Sequence, residues 1–527
     1  MNIKLKIRQY VSKSKKMRFN VLAPSNGKKL FSAIWCTFFF ISFGCTKLHN
    51  EDNLSRYNIL MIFVDDLRPE LGCYGNPIIR TPNIDKLAST GYIFDNHYVQ
   101  SAICGPSRSS LLTGKVCQQW DPWSDFRKTN HEPDAPIALP HLFKINGYKT
   151  ICIGKITHEP GGVMDENQRI AQIPFSWDTT YTAVGKWETP WRAFFAYSNG
   201  DAHNTAMKIG METPRLPYEA GEVDDEGYPD GLNTLEAIKQ LRKLKEEGAP
   251  FLLSLGFFKP HLPFNAPKRY WDLYQRDEIP MAENNFIPKN LNNIYSINQS
   301  PEVTTHYPWP DGPGNVLPES AKLLKHGYYA CVSYIDTLVG KVLDELEQLN
   351  LSENTIVVLW SDHGWHLGEH TMFGKMSNFE IATRSPLIIR IPDILTEGKR
   401  LSHLTESIDI YPTLAELCNL EYPDNLDGES IVDILKNPAI KGQNLARSFY
   451  YRNQALGKTI RTERYRIVRW ASEKDSTLAL ELYDHRLDPN ENLNIAAEQK
   501  ATIDSLLKQL KTVNFMDEGM PFLDGWE

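Results

Sequence analysis

Short, uninterrupted apolar runs recur along the chain and alternate with stretches of helical periodicity. The runs are too short and too uniformly apolar for surface helices, which is typical of strands buried on both faces of a sheet. Residues 234–247 and 328–349 have the period of a helix, and a turn at Asp230-Gly231 with Asn233 as cap predicts where the first begins. The pattern predicts an α/β fold, a large sheet sandwiched by helices. The predicted strands are residues 59–64, 150–153, 251–257 and 356–360.

Charged or imidazole side chains follow each predicted strand. In open α/β sheets ligands bind beyond the carboxyl ends of the strands, so four parallel strands would bring these side chains to one cleft. One strand end of this kind means little, whereas four together predict a functional site. In strand order the residues are Asp65 and Asp66, Lys155 and His158, Lys259 and His261, and Asp362 and His363.

The C-terminal part of the chain has a different pattern. Residues 461–470 and 478–483 predict strands of an antiparallel sheet, and residues 498–513 predict a closing helix. We therefore expect a large domain over residues 55–420 that carries the site, and a smaller α+β domain over residues 421–527.

The first 45 residues have the pattern of an export signal. Nine Lys and Arg residues precede an uncharged apolar run at residues 30–44, which is too short to span a bilayer comfortably. Residues 42–45 resemble a bacterial lipobox with Cys45 as the lipidated residue, and a signal without lipid is the alternative. We expect residues 1–45 to be a signal or lipoprotein segment, and the protein to be exported, either to the periplasm or as an outer-membrane lipoprotein.

Composition narrows the class of protein. The chain has 527 residues and 41 % apolar residues, enough for a large core and more than one domain. Its formal net charge of −8 argues against a general affinity for nucleic acid. A few basic side chains in one cleft still attract an anionic substrate. The cysteines after residue 45 lack CxxC pairs, so neither a structural zinc site nor a dense disulfide framework is indicated.

The adjacent carboxylates Asp65 and Asp66 repel each other unless a cation lies between them. Asp362 brings a third carboxylate from another strand, together with the imidazole of His363. This oxygen-rich set favours calcium or magnesium over zinc or manganese. For the Asp pair alone, a polar strand end that caps a helix is the alternative.

Residues 104–108 place a cysteine at the predicted start of a helix. Pro106 suits a first helical turn, and Thr113-Gly114 ends the helical stretch. Cys104 would then lie where free backbone amides and the helix dipole favour an anion. The alternative is a small buried thiol, which is what most cysteines are.

Residues 104–114 match the signature C-x-P-S-R-x-x-x-x-T-G of the type I sulfatases without departure. The chain resembles this family from about Tyr57 to residues 482–491, and the resemblance implies an alkaline-phosphatase-like sheet and an origin in a polysaccharide-degrading bacterium. The iduronate-2-sulfatase branch looks most similar. The motifs that carry this likeness are Gly154-Lys155-Ile156-Thr157-His158, Lys259-Pro260-His261-Leu262-Pro263-Phe264 and residues 361–370. His366 departs from the small residue of that branch, which affects fine specificity rather than the reaction.

The resemblance implies a role for each candidate residue. In the family a separate enzyme oxidises the cysteine to formylglycine, whose hydrate attacks the sulfur of a sulfate ester. When the family's roles are transferred to the matching positions of this sequence, Arg108 and Lys155 would stabilise the hydrate, and His158 would orient or deprotonate it. Lys375 and His261 would grip the sulfate, with His261 placed to protonate the leaving alcohol. The implied ligands of a single calcium ion are Asp65, Asp66, Cys104 as formylglycine, Asp362 and His363.

The implied partners are a formylglycine-generating maturation enzyme and a sulfated oligosaccharide or polysaccharide. The substrate is either the 2-O-sulfated uronic acid of a glycosaminoglycan fragment or a sulfated sugar of a marine polymer such as ulvan, carrageenan or fucoidan. Residues 160–229 have little periodicity, which predicts functional loops that form pocket walls. Candidate sugar-stacking residues, with a core role as the alternative, are Trp187, Trp191, Phe194, Phe195 and Tyr197.

Two other classes of function fit parts of the pattern. A phosphatase, phosphodiesterase or phosphonate hydrolase of the same superfold would carry Thr or Ser as nucleophile and two transition metals with several His ligands. A surface lipoprotein that binds sulfated glycans with a lapsed site would have lost one of the basic site residues, and none is lost. His366 and His370 have the spacing of zinc ligands on a helix, but Gly368 between them favours a polar loop.

Overall fold

A large mixed sheet with helices on both faces forms most of the protein. The structure is a computed structural model, and it describes residues 56–116, 137–165, 170–173, 175–298, 300–309, 311, 316–394, 398–472 and 474–515. The predicted signal segment at residues 1–45 lies outside the described residues.

The secondary structure alternates strands and helices up to about residue 436 and then changes to consecutive strands. The strands are β1 (Asn58–Val64), β2 (Tyr92–Tyr98), β3 (Lys149–Gly154), β4 (Val163–Asp165), β5 (Ile170–Ala171), β6 (Thr179–Tyr181), β7 (Tyr218–Gly221), β8 (Phe251–Phe257), β9 (Phe264–Pro267), β10 (Thr355–Ser361), β11 (His366–Leu367), β12 (Phe373–Gly374), β13 (Leu387–Arg390), β14 (Lys399–Glu406), β15 (Leu445–Arg452), β16 (Ala455–Thr462), β17 (Tyr465–Ser472) and β18 (Thr477–Asp484). The α-helices are α1 (Pro82–Ala88), α2 (Cys104–Thr113), α3 (Leu139–Ile145), α4 (Pro190–Phe194), α5 (Pro229–Glu247), α6 (Lys268–Trp271), α7 (Pro301–Thr304), α8 (Pro318–Gln348), α9 (Glu380–Thr383), α10 (Ile410–Leu417), α11 (Val432–Lys436) and α12 (Lys500–Leu510).

The main sheet has eight strands in the order β14-β2-β13-β10-β1-β8-β3-β6. The four strands predicted from apolar runs are β1, β3, β8 and β10, and they lie side by side. Each pairs with its neighbour in parallel, whereas β13 runs antiparallel between β10 and β2. The predicted large mixed sheet is confirmed, and the carboxyl ends of its four central strands share one edge.

Strand β1 shows why these runs are apolar without alternation. Leu60 and Ile62 pack on one face against α1, α5 and α8, while Ile59 and Met61 pack on the other face against α2, α3 and α10. All seven residues of the strand are buried. Burying one such side chain contributes roughly 1.5–3 kcal/mol, so both faces hold the strand in the interior.

Both predicted helices exist but begin earlier than predicted. Helix α5 begins at Pro229, so Asp230, Gly231 and Asn233 form its first turns rather than a turn and a cap. Helix α8 likewise begins at a proline, Pro318, instead of residue 328. Proline suits a first helical position because its missing N–H needs no partner there.

The C-terminal sheet has four antiparallel strands in the order β15-β16-β17-β18. The prediction of one strand over residues 461–470 is wrong, because the chain turns at Glu463-Arg464 between β16 and β17. The closing helix is α12, slightly shorter than predicted, and it packs its apolar face on this sheet. The smaller C-terminal α+β part is thus present, and the boundary at residue 420 stays a prediction.

A buried ionic network joins this sheet to the main one. The Arg466 guanidinium contacts Glu491 at 2.6 Å and also pairs with Glu380. It donates a further hydrogen bond to the carbonyl of Asn378 at 2.8 Å. The Glu380 backbone N–H donates to Glu491 at 2.7 Å, so β17 and the segment around Asn378 are held together.

Two further observations concern membrane-spanning helices and disulfide bonds. Among the described helices, none combines the length and apolarity that crossing a membrane requires. The five cysteines in the described part of the chain, which are Cys73, Cys104, Cys152, Cys331 and Cys418, are free thiols.

Replacing Arg466 by Met removes the cation that contacts both Glu380 and Glu491, so that among the described residues Glu491 keeps only the His485 imidazole while Arg461 still pairs with Glu380. We expect the free energy of unfolding to fall by about 3–5 kcal/mol, because removing one partner of a buried ion pair leaves the other charge buried without compensation. Urea denaturation checks this. Arg486→Met is the matched control, since the Arg486–Glu463 pair is exposed and its loss costs about 0–1 kcal/mol. Equal losses in the two variants would contradict the assignment.

Candidate active site

The carboxyl ends of β1, β3 and β10 bring three predicted site segments into contact. Asp65 and Asp66 follow β1, Lys155 follows β3, and Asp362 begins the segment after β10. These side chains are at most 2 % exposed. The predicted convergence of strand ends is therefore present for these three strands.

Two cations hold Asp65. Arg108 donates to one carboxylate oxygen at 2.8 Å, and the Lys155 ammonium donates to the other at 2.7 Å. Burial alone would raise the pKa of Asp65, but Lys155 and Arg108 outweigh it and hold that pKa well below its usual value. Arg108 also donates to Asp362 at 2.9 Å, so one guanidinium joins the ends of β1 and β10.

Helix α2 places Cys104 at its first position, as the motif predicted. Ile103 before it is extended, and Gly114 ends the helix with a positive φ of 64°. The Ser107 hydroxyl donates to the backbone carbonyl of Asp362 at 2.5 Å, which fastens the first turn to the end of β10. Every residue of the helix is buried, so its N-terminal amides are shielded from solvent.

The Cys104 sulfur lies among the candidate site residues. It is 3.3 Å from His363 Nε2, 3.4 Å from Lys375 Nζ and 3.9 Å from Asp66 Oδ1. Lys375 also donates to Asp66 at 2.9 Å. Burial raises the pKa of the Cys104 thiol well above its usual value, and Asp65 adds to the effect. The unmodified thiol is therefore a poor nucleophile here.

The site histidines are oriented by backbone carbonyls. The Nδ1 atom of His363 lies 2.9 Å from the Gly364 carbonyl, and that of His261 lies 2.7 Å from the Leu262 carbonyl. Each Nδ1 therefore carries the proton, which leaves Nε2 of each ring as an acceptor or metal ligand. Burial lowers the pKa of both rings, so both are neutral. His261 Nε2 is 3.8 Å from Asp66 Oδ2.

His158 follows β3 and lies next to an aromatic residue of the 160–229 stretch. Its ring is 6.0 Å from that of Trp191. Burial, followed by the charge of Lys155, lowers the pKa of His158 to about 3. The ring is thus neutral at physiological pH and is suited to accept a hydrogen bond rather than to pair with an anion.

The donor atoms suit a hard divalent cation. One atom each from Asp65, Asp66, Cys104 and His261 lie within 4.8 Å of one another, and the same holds for Cys104, Asp362 and His363. Burial raises the pKa of Asp66 well above its usual value, and Lys375 offsets only part of that. A divalent cation among these carboxylates relieves that cost, so the residues fit a metal ion.

Residues of the 160–229 stretch pack against the cluster. The Phe194 ring is 4.3 Å from Lys155 Nζ and 4.6 Å from the His261 ring. Phe194 is buried, as are three other candidate sugar-stacking residues, Trp187, Phe195 and Tyr197. These four belong to the core, whereas Trp191 is partly exposed and is the one suited to contact a ligand.

Some residues singled out from sequence lie outside the cluster. The Lys259 ammonium donates to the carbonyls of His261 and Pro263, so it stabilises the loop that carries His261. His366 lies 3.0 Å from the Ser377 hydroxyl in a short β11 segment, not on a helix with His370. His370 lies in the single 3₁₀ turn Glu369–Thr371, so the two imidazoles do not share an α-helix.

The sequence reasoning missed two residues around Lys375. The Trp365 ring lies 5.1 Å from its ammonium, and Glu302 lies 3.6 Å from it. Trp365 lies within the motif at residues 361–370 and was within reach of sequence reasoning. Glu302 belongs to a four-residue helix without any motif, so only the structure reveals it.

Comparison with known proteins agrees with this geometry. The family model described as Sulfatase matches residues 57–420, and that described as N-sulphoglucosamine sulphohydrolase, C-terminal, matches residues 368–515. Iduronate 2-sulfatase of Mus musculus is 34 % identical over 427 residues, which are 74 % of this chain and 73 % of that protein. A protein named Sulfatase from Formosa agariphila is 31 % identical over 493 residues, which are 88 % of each chain.

A solved structure has the same fold. It is a complex with the substrate D-glucosamine-2-N,6-O-disulfate, with a TM-score of 0.64 and 22 % identity, covering 87 % of this chain and 97 % of that one. At this identity the likeness concerns the fold alone. Together, the cysteine at the start of α2, the surrounding carboxylates and cations, and relatives above 30 % identity over most of their length lead to one conclusion. The chain belongs to the type I sulfatases, enzymes that hydrolyse sulfuric esters.

Proposed function

We propose that this sulfatase removes the 2-O-sulfate of a uronic acid in glycosaminoglycan-derived oligosaccharides, using formylglycine at position 104 and one calcium ion. The observation that carries the proposal is the position of Cys104, buried at a helix start within 3.4 Å of both His363 and Lys375. The similarity to iduronate 2-sulfatase supports the sugar. A sulfated sugar of a marine polymer such as ulvan is the alternative.

The proposed calcium ion would be held by oxygen atoms of Asp65, Asp66 and Asp362, by Nε2 of His363, and by the residue at position 104. When bound, it supplies positive charge that stabilises the developing charge on the sulfate oxygens. The three carboxylates are balanced by Arg108, Lys155 and Lys375. The bound cation then leaves an excess of positive charge, which suits an anionic ester.

Formylglycine supplies a hydrate hydroxyl as nucleophile, together with a second hydroxyl that allows sulfate to leave. The chain's own residues hold this group in place. Arg108 and Lys155 both donate hydrogen bonds to Asp65, which holds this carboxylate in place near position 104. Lys375 reaches both Asp66 and the sulfur of Cys104, so its ammonium is positioned to contact a sulfate oxygen.

His261 is the proposed donor of a proton to the leaving alcohol. In the free enzyme its ring is neutral, with the Nδ1 proton held by the Leu262 carbonyl. An anionic sulfate ester next to Nε2 favours the charged ring and raises the pKa of His261. His158 is proposed to orient the hydrate at position 104 by accepting a hydrogen bond, because its ring stays neutral beside the cations.

A glycine pair determines where Lys155 lies. Gly154 at the end of β3 has a positive φ of 73°, and its strand partner is Gly256 on β8. A Cβ atom on Gly256 would lie 2.0 Å from the Lys155 carbonyl oxygen. The strands therefore approach each other closely where the chain delivers Lys155 to the site.

The remaining parts of the proposal concern processing and location. A formylglycine-generating enzyme is the proposed maturation partner, since Cys104 lies within the signature such enzymes modify. Export, with lipidation at Cys45, is proposed from the residue pattern of the first 45 positions. An exported sulfatase has direct access to polysaccharide fragments outside the cytoplasm.

Co-expression with a formylglycine-generating enzyme should convert Cys104 to formylglycine. Peptide mass spectrometry should show loss of the sulfur atom and gain of an aldehyde oxygen at this position. Cys104→Ala should lower kcat on a sulfate ester by roughly four to six orders of magnitude, because the nucleophile is absent. Cys73→Ala, outside the cluster, is the control and should keep its activity. An unmodified thiol in a host that matures another sulfatase contradicts the mechanism.

Calcium should stabilise the folded protein after chelator treatment. At a concentration 100-fold above Kd we expect about 3 kcal/mol of added stability, measured as a rise in Tm, together with recovery of activity. Asp362→Asn should weaken the calcium response, because it removes one carboxylate charge from the site. Asp272→Asn, an exposed position, should respond like the wild type. A calcium response that Asp362→Asn leaves intact would refute this ligand assignment.

Gly256→Ala should lower kcat/KM by about 100-fold, because its Cβ displaces the backbone of Lys155 and misplacement by about 1 Å has an effect of this size. The matched control is Ser254→Ala on the same strand, whose buried hydroxyl has no partner among the described residues. Steady-state kinetics on a sulfate ester and Tm measurements separate loss of activity from loss of folding. Unchanged kinetics in Gly256→Ala would rule out this positioning role.

A further inference from the structure

Glu302 approaches the site from a segment outside the main sheet. It lies in α7, and the preceding Ser300 rests on Gly374, the residue before Lys375. A Cβ atom on Gly374, whose φ is 132°, would lie 2.8 Å from the Ser300 side chain. The close approach at this glycine brings the Glu302 carboxylate to 3.6 Å from Lys375 Nζ.

The two oxygens of this carboxylate have different surroundings. Oε1 faces Lys375, whereas Oε2 is buried and has no hydrogen-bond partner among the described residues. The side chain is 17 % exposed, so the carboxylate is largely removed from solvent. An unpaired buried acceptor costs free energy that a ligand can recover by donating a hydrogen bond.

The position of Glu302 restricts the chemistry of that ligand. Lys375 is the residue proposed to hold the sulfate, so a group that reaches Glu302 lies beside the ester. A carboxylate accepts hydrogen bonds and repels other anions. The complementary group is therefore a hydroxyl on the ring carbon next to the sulfated one, and a second sulfate at that carbon is disfavoured.

We propose that Glu302 is a specificity-determining residue that accepts a hydrogen bond from the hydroxyl adjacent to the sulfate ester. The inference rests on the proposed function and deepens it, because it names the substituent next to the ester that the enzyme recognises. A site built to bond a hydroxyl rejects an analogue that lacks it, since the buried acceptor is then left unpaired. The same carboxylate rejects vicinally disulfated sugars through repulsion.

The test uses three methyl glycosides of iduronic acid with formylglycine-matured enzyme. These are the 2-O-sulfate with its free 3-hydroxyl, the 3-deoxy 2-O-sulfate and the 2,3-di-O-sulfate, with p-nitrophenyl sulfate as a fourth substrate. We expect the wild type to prefer the hydroxyl compound over the deoxy compound by roughly 10- to 100-fold in kcat/KM. Glu302→Ala and the isosteric Glu302→Gln should lose most of this preference, and Glu302→Gln should gain relative activity on the disulfate.

Glu319→Gln is the matched control, because Glu319 is exposed at the start of α8. The substitution removes the same charge as Glu302→Gln, at a position that does not contact the site. It should keep the wild-type ratio of hydroxyl to deoxy substrate. Hydrolysis with an unchanged ratio in both Glu302 variants overturns the inference alone. Failure of the matured wild type on all four sulfate esters contradicts the proposed function, and the inference with it.

Discussion

The buried pairing of Arg108 with Asp65 and Asp362 is the interaction on which the rest of the site depends. All three side chains are fully buried, and each carboxylate belongs to a different strand end. An isolated charge in the interior costs several kcal/mol, so these groups are stable only when they meet. The first turn of α2 must therefore lie across the ends of β1 and β10, and this places Cys104 beside the cations that its proposed chemistry requires.

A second buried network extends this constraint to the C-terminal sheet. Arg466 pairs with Glu380 and Glu491 and donates to the Asn378 carbonyl, three residues after Lys375. The segment that delivers Lys375 is thus held from the C-terminal side, while Glu302 contacts the same lysine from α7. The C-terminal part of the chain consequently helps to shape the active site.

Sequence reasoning was most reliable where one local pattern decides the outcome. The four central strands were predicted because a strand buried on both faces must be apolar throughout, and the start and end of α2 were predicted from Pro106 and Gly114. It failed at Glu463-Arg464, because this hairpin turn has neither glycine nor proline to mark it. It also missed the early starts of α5 and α8, where periodicity is weak at the first turns and proline alone marks the beginning.

The sequence by itself determined the four central strands of the sheet, the helix that presents Cys104, the family and most of the candidate site residues. These follow from local periodicity and from motifs whose residues are contiguous. Only the tertiary structure decided which candidates touch, that Lys259 stabilises a loop, that most of the aromatic residues are core, that Glu302 contacts Lys375 and that Arg466 holds the segment around Asn378. Most of these contacts join residues far apart in the chain, and their energies depend on burial and on the distance between charges, which no local pattern contains.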